Sequence, residues 1–242
     1  MGASWDTERG TKAAAWFTLY VTCWLLMQAS CKLKLPPNCR QSYEPMDVLI
    51  ELPFLLAFAL GQAFMCDILD SERYHSLSNK RYLPVIIVAS GLITSALMTN
   101  DDFVDIHVSR RYSMVMSVFS IILIVVFCLV FVYHLFLGWK RLPGAEMISQ
   151  PDGETAQIRE GNRYLQYMIK TILITTYVAL YATFAYRRGD GWEYHYIPLA
   201  WCASLIASFD TPISVVWLAV TTGTFLQGVG AYSFQFLFHS NE

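Results

Sequence analysis

Tyr112–Trp139 reads YSMVMSVFSIILIVVFCLVFVYHLFLGW and contains no Asp, Glu, Lys or Arg, with His134 its one histidine. A helix that crosses a hydrocarbon core of about 30 Å needs roughly 20 apolar residues, so this run is long enough to span a bilayer. A barrel strand would alternate polar and apolar side chains over about ten residues, whereas here both parities are apolar. The stretch therefore reads as a membrane helix, and the rest of the chain repeats it.

Ala13–Cys31, Tyr82–Asn100 and the run from Thr211 to Asn241 are also free of formal charge. Leu52–Cys66 lies between Glu51 and Asp67 and reaches full length if helix extends back to Asp47. Thr171–Tyr186 does so if it begins near Tyr164 and accommodates Lys170. The apolar chain from Tyr194 onward would make one helix of about 60 Å, twice the membrane thickness, so it must turn. Asp210-Thr211-Pro212 supplies the signal: a capping side chain, then a proline suited to a first helical turn. The expectation is an all-α, polytopic membrane bundle of about seven transmembrane helices with short loops. Residues 1–242 form a single integral membrane domain, with helices near 13–30, 47–67, 82–100, 112–139, 164–186, 194–210 and 212–238.

Composition agrees. Of 242 residues, 55% are hydrophobic and 15% charged, against about 25% charged in a soluble domain. The mean hydropathy is +0.39 and the net charge −2. That excludes an ordinary soluble domain and a disordered chain, and it leaves no basic face for nucleic acid. The lipid bilayer is the first expected partner. Ala13–Cys31 follows Arg9 and Lys12 as a signal peptide would, but Gln28 occupies a place where signal peptidase prefers a small residue. It is expected to remain as the first helix.

With seven spans, the N-terminal side carries nine Lys and Arg (Arg9, Lys12, Arg73, Lys80, Arg81, Lys140, Arg141, Arg159, Arg163). The opposite side carries seven (Lys32, Lys34, Arg40, Arg110, Arg111, Arg187, Arg188). The positive-inside rule then puts the N-terminus on the cytoplasmic or matrix side, in an endomembrane or the mitochondrial inner membrane. Cys31 and Cys39 flank Pro36-Pro37 in the first loop and are expected to pair in a disulfide if that loop faces an oxidising compartment. Cys23, Cys66, Cys128 and Cys202 fall in apolar runs and read as small hydrophobes. No metal-ligand spacing appears, and His134 has no histidine partner for haem, so no metal or cofactor is expected.

Charged groups at membrane depth are costly and mark function or pairing. Three stand out: Glu51, Lys170 and Asp210. Glu51 follows Asp47 by one helical turn, and like carboxylates so placed raise one pKa, which suits proton transfer. Asp210 is either a cap at the surface or an acid facing a cavity. Lys170 either snorkels to the interface or forms a buried pair with Asp210, the acid on its own side. Small residues four apart (Ala57/Gly61, Gly91/Ser95, Ala219/Gly223) predict close helix contacts. The mixed-charge segments Ser71–Arg81 and Asp101–Arg111 read as solvated connectors.

Uncharged helices, short loops and the absence of a P-loop, a zinc-protease helix or a serine-hydrolase elbow fit an accessory or scaffolding subunit that packs against other membrane subunits. A second reading is an intramembrane enzyme on a lipid or isoprenoid. In layout, an early acid at Glu51 and a late one at Asp210, the chain resembles the small seven-helix membrane terpene cyclases. That resemblance implies catalytic roles for Glu51 and Asp210, with Trp201, Tyr177 and Trp217 stabilising cationic intermediates. A small transporter or channel using Lys170 and Asp210 is the third.

Overall fold

The computed structural model describes residues 2–34, 45–97, 114–141, 165, 167–181, 183, 192–232 and 234. Among them the fold is all helical: α1 (Gly2–Lys32), α2 (Pro45–Met65), α3 (Ser71–Ser78), α4 (Tyr82–Leu97), α5 (Met114–Arg141), α6 (Tyr167–Tyr181), α7 (Trp192–Ser204) and α8 (Pro212–Tyr232). Four of these, α1, α2, α5 and α8, are long and apolar enough to cross a membrane. A fifth span arises if α3 and α4, bent 71° at their junction, count together. The sequence predicts about seven. Helix α4 has 16 residues and α7 has 13, and α6 is likewise shorter than a full span.

The boundaries differ for physical reasons. Helix α2 starts at Pro45 and passes straight through Pro53. The proline leaves the carbonyl four residues earlier without its N–H partner, near the start of the helix. Asp67, just past the end of α2, takes a positive φ of 55°, which reverses the chain. The expected helix 194–210 ends at Ser204, where the Ser204 hydroxyl donates back to Trp201 O at 2.6 Å and the backbone tightens into turns. Residues 205–211 are not helical. Pro212 restricts Thr211 before it and then opens α8.

Helix α8 is the hub. It is buried along most of its length and packs against α4, α7 and α1. A helix enclosed on all sides needs side chains that let neighbours approach, and α8 has them. Helices α4 and α8 run parallel in close contact: Ser90 Oγ meets Ala219 O at 3.5 Å, Thr94 and Thr224 hydroxyls lie 3.2 Å apart, and Gln227 Nε2 donates to Ser95 Oγ at 3.1 Å. A β-carbon on Gly223 would overlap the Ile87 carbonyl and the Ser90 hydroxyl. One on Gly91 would sit 2.7 Å from Met27 Sδ of α1. The expected pairs Gly91/Ser95 and Ala219/Gly223 are thus two sides of one interface. Gly61 serves a different contact, against the Trp201 ring.

Helix α5 is attached at one end. Residues Ile121–Val126 are each 42% to 62% exposed around the whole circumference, whereas His134 and Gly138 are buried.

Gly223→Ala is expected to lower the melting temperature of the detergent-solubilised protein, because overpacking a tight contact costs about 1–3 kcal/mol. At Gly10 nothing lies within 4 Å of the place a β-carbon would take, so Gly10→Ala is expected to leave stability unchanged or raise it by up to about 1 kcal/mol. Equal effects of the two substitutions would contradict the packing described.

Candidate functional site

Among the described residues, the non-helical segment 205–211 is where polar side chains from the most elements converge. Leu205, Ile206, Ala207 and Phe209 are buried, so their main-chain carbonyls need partners. Non-helical backbone inside a membrane protein is tolerated only where protein or a water-lined cavity satisfies it. Here protein does. Arg73 of α3 is buried and extends its guanidinium across the segment: Nη1 donates to Phe209 O and to Asp210 Oδ1 (2.6 Å), and Nη2 donates to Ala207 O at 2.9 Å. Arginine suits this task because its planar fork carries five fixed donors and a permanent charge.

Other elements close the rest. The Tyr167 hydroxyl donates to Ile206 O at 2.9 Å, and the Cys66 thiol to Ser204 O at 3.3 Å. Trp217 Nε1 reaches back from α8 to Ala203 O at 2.9 Å, tying α7 to α8 across the gap. Lys80 Nζ lies 3.4 Å from Asp210 O. Lys170 donates to Met65 O, at the end of α2, and to Ser208 Oγ at 2.8 Å.

His134 of α5 joins the same network with one consistent proton arrangement. Its Nδ1 lies 2.7 Å from Val130 O, a pure acceptor, so Nδ1 carries the hydrogen. In the neutral ring Nε2 then accepts from the Ser214 hydroxyl at 3.0 Å, while Ser214 Oγ accepts from Phe209 N–H at 3.2 Å. Every polar atom in that chain is used once in its proper sense.

Beside the segment lies a second polar cluster. Gln62 of α2, fully buried, donates from Nε2 to Ser204 Oγ at 2.6 Å and to Thr222 Oγ1 at 2.9 Å, so one amide joins α2, α7 and α8.

The residues singled out from sequence are distributed differently from their expected pairing. Asp210 is 43% exposed and pairs with Arg73; Lys170 turns to Met65 O and Ser208; the two expected partners are not bonded to each other. Glu51 is 4% exposed, within α2 and not at its surface end. Asp47 is helical, but its side chain lies outside the described residues. Glu51 precedes Met65, which touches the Lys170–Ser208 cluster, by fourteen residues of α2, or about 21 Å. The structure therefore does not bring Glu51 and Asp210 together. Trp201 donates its indole N–H to Phe58 O at 3.1 Å and packs edge-on against the Phe58 ring. Trp217 is committed to Ala203, and Tyr177 lies half-exposed on α6. Cys31 is disulfide-bonded, while Cys39, its expected partner, lies outside the described residues. Cys23, Cys66, Cys128 and Cys202 are free thiols. Among the described residues no group of three His, Cys, Asp or Glu side chains is placed to hold a metal ion.

Arg73, Gln62 and Tyr167 do not stand out as site residues from sequence. Gln62 has a legible signal: it is the one amide in the uncharged run Leu52–Cys66. Arg73 carries no such signal: that it is buried with Leu77, one turn on, is seen only in the structure.

No family model, curated protein or solved structure matches the chain.

Removing Arg73 leaves three main-chain or carboxylate acceptors without their donor. Arg73→Ala is expected to destabilise by about 2–6 kcal/mol, because two buried carbonyls, of Phe209 and Ala207, lose their donor at about 1–3 kcal/mol each, and to be partly rescued by guanidinium ions at low concentration. Asp210→Asn should cost at most about 1 kcal/mol, because its carboxylate is near half-exposed. Thermal unfolding of the two variants side by side measures the difference; a larger loss for Asp210→Asn would overturn this description.

Proposed function

We propose that this multi-pass protein is an accessory, scaffolding subunit of a larger membrane assembly. One observation carries the reading: the buried Arg73 and the part-buried Lys170 ammonium are turned onto the chain's own main-chain oxygens, where they hold residues 205–211 together. Cations so engaged are structural parts and are not presented to a substrate. The apolar surfaces of α5 and α6 are the faces through which neighbouring subunits and lipids would be met. The acid-pair enzyme on a lipid or isoprenoid draws no support from the distance between Glu51 and Asp210. The transporter or channel reading uses Lys170 and Asp210, and here both are engaged within the chain, Lys170 by Met65 O and Ser208 and Asp210 by Arg73.

The proposed orientation has the N-terminus on the cytoplasmic or matrix side. Lys12, Arg73, Lys80 and Lys170 gather at the end of the bundle where α1 begins, through contacts with Ser71, Asp210, Met65 and Ser208. Lys170 thus adds to the positive side of the count. At the far end of α1 Cys31 is oxidised, which suits a face turned to an oxidising compartment. An endomembrane and the mitochondrial inner membrane both separate two such compartments.

Two measurements test this. In gently solubilised native membranes, the chain should migrate on a blue-native gel with other membrane proteins, and Glu51→Gln and Asp210→Asn should leave that band in place. Migration as a monomer would overturn the scaffold reading. In sealed vesicles, a cysteine replacing Gly10 should react with membrane-impermeant maleimide only from the cytoplasmic or matrix face; reaction from the other face would reverse the orientation.

A further inference from the structure

Helix α1 turns an unusual row of side chains inward. Trp16, Tyr20, Trp24 and Gln28 follow one another at four-residue intervals and so share one face. All four are at most 5% exposed. The indole nitrogens of Trp16 and Trp24, the Tyr20 hydroxyl and the Gln28 amide nitrogen are sealed from bulk solvent and have no hydrogen-bond partner among the described residues. By contrast the indoles of Trp201 and Trp217 and the hydroxyl of Tyr167 each reach a main-chain carbonyl. Buried atoms without a partner also occur on other helices (Gln62 Oε1, Arg73 Nε, Thr175 Oγ1), but among the described residues α1 alone carries a row of them on one face.

Leaving one buried donor unsatisfied costs about 1–3 kcal/mol, so four in sequence on one helix call for an occupant. Its chemistry follows from the groups. Indole and amide N–H groups only donate, so the occupant offers acceptors, which excludes a cation or a hydrocarbon chain. On α2 the Gln62 Oε1 is a buried acceptor without a donor among the described residues. The same stretch of α2 packs against the row: Ala59 and Ala63, on either side of Gln62 in sequence, belong with Trp16, Tyr20 and Trp24 to one buried cluster. An occupant that meets both sides must also donate, which chloride or sulfate cannot, and a buried anion of any kind would need a cation paired with it. Water both accepts and donates.

The spacing fits as well. Four residues of helix rise about 6 Å, close to two O–H···O distances of about 2.8 Å, so the repeat of a hydrogen-bonded water file matches the repeat of the row. A chain of 242 residues is expected to hold about nine buried waters in all, at roughly one per 27 residues. We propose that the inner face of α1 carries a file of internal water, running from near the Lys12–Ser71 contact at one end of the bundle to Gln28 towards the other.

Radiolytic hydroxyl labelling of the full chain in nanodiscs, read by mass spectrometry, tests this directly, because radicals formed on a bound water oxidise the side chain beside it. Tyr20 should be oxidised several-fold faster than Tyr167, although it is the more deeply buried of the two, and Trp16 and Trp24 faster than Trp217. Rates at Tyr20, Trp16 and Trp24 equal to or below those of the carbonyl-bonded controls would overturn the proposal. Tyr20→Phe gives a second measure. With water present it should slow labelling at Trp16 and Trp24 and lower the melting temperature. A raised melting temperature with unchanged labelling would mean a dry row from which an unsatisfied hydroxyl had been removed, and would also overturn it.

Discussion

A helix surrounded on every side must meet each neighbour at nearly backbone distance, and it must do so without a hydrophobic gradient to hold the neighbours in place. Helix α8 meets that constraint with small and hydroxyl side chains that serve different partners. Ala219 and Gly223 admit α4, and Thr224 and Gln227 bond to it. Thr222 receives Gln62 from α2, and Ser214 bonds His134 from α5. In lipid, apolar faces do not distinguish one register from another, so such hydrogen bonds and steric notches fix where each helix stops along its neighbour. The remaining features, including the open segment before α8 and the cations that close it, follow from placing this helix at the centre.

The cost of the central position falls on residues 205–211. To place α8 in the middle, the chain must leave α7 and re-enter within a few residues, and a regular helix cannot do that. The carbonyls released are taken by donors from three other elements: Arg73, Tyr167 and Cys66. The arrangement replaces the missing helical N–H groups with side-chain donors of similar geometry, one of them charged. Helix α3, short and bent 71° from α4, is the arm that carries Arg73 to this segment.

Much of this is legible from composition and charge-free runs, because they report what the bilayer requires of the backbone. The all-helical class and the long apolar helices follow from that requirement alone. The two small-residue pairs on α4 and α8 are visible too, though only the structure shows that they face each other. What stays hidden depends on distance in sequence. Arg73 and Asp210 are separated by 137 positions, and no local pattern in either segment names the other. Lys170 and Asp210 look like partners because both lie on one side of the membrane, yet sharing a side does not fix which neighbours meet. A search for charges also passes over Gln62, whose uncharged amide joins three helices.

The order of synthesis gives the α4–α8 contact a further meaning. Residues joined across it, such as Thr94 and Thr224, are 130 positions apart, and α8 is the last described helix to leave the ribosome. Until it arrives, α4 holds Gly91 and Ser95 towards lipid, and Gln62 on α2 has no Thr222 to bond. Helices inserted one at a time must therefore wait for α8 before these contacts can form. A chain that stops short of residue 212 has lost more than a peripheral helix, since it lacks the surface on which the others register. A membrane surveillance system that reads exposed glycine and amide groups would see every truncated copy as unfinished.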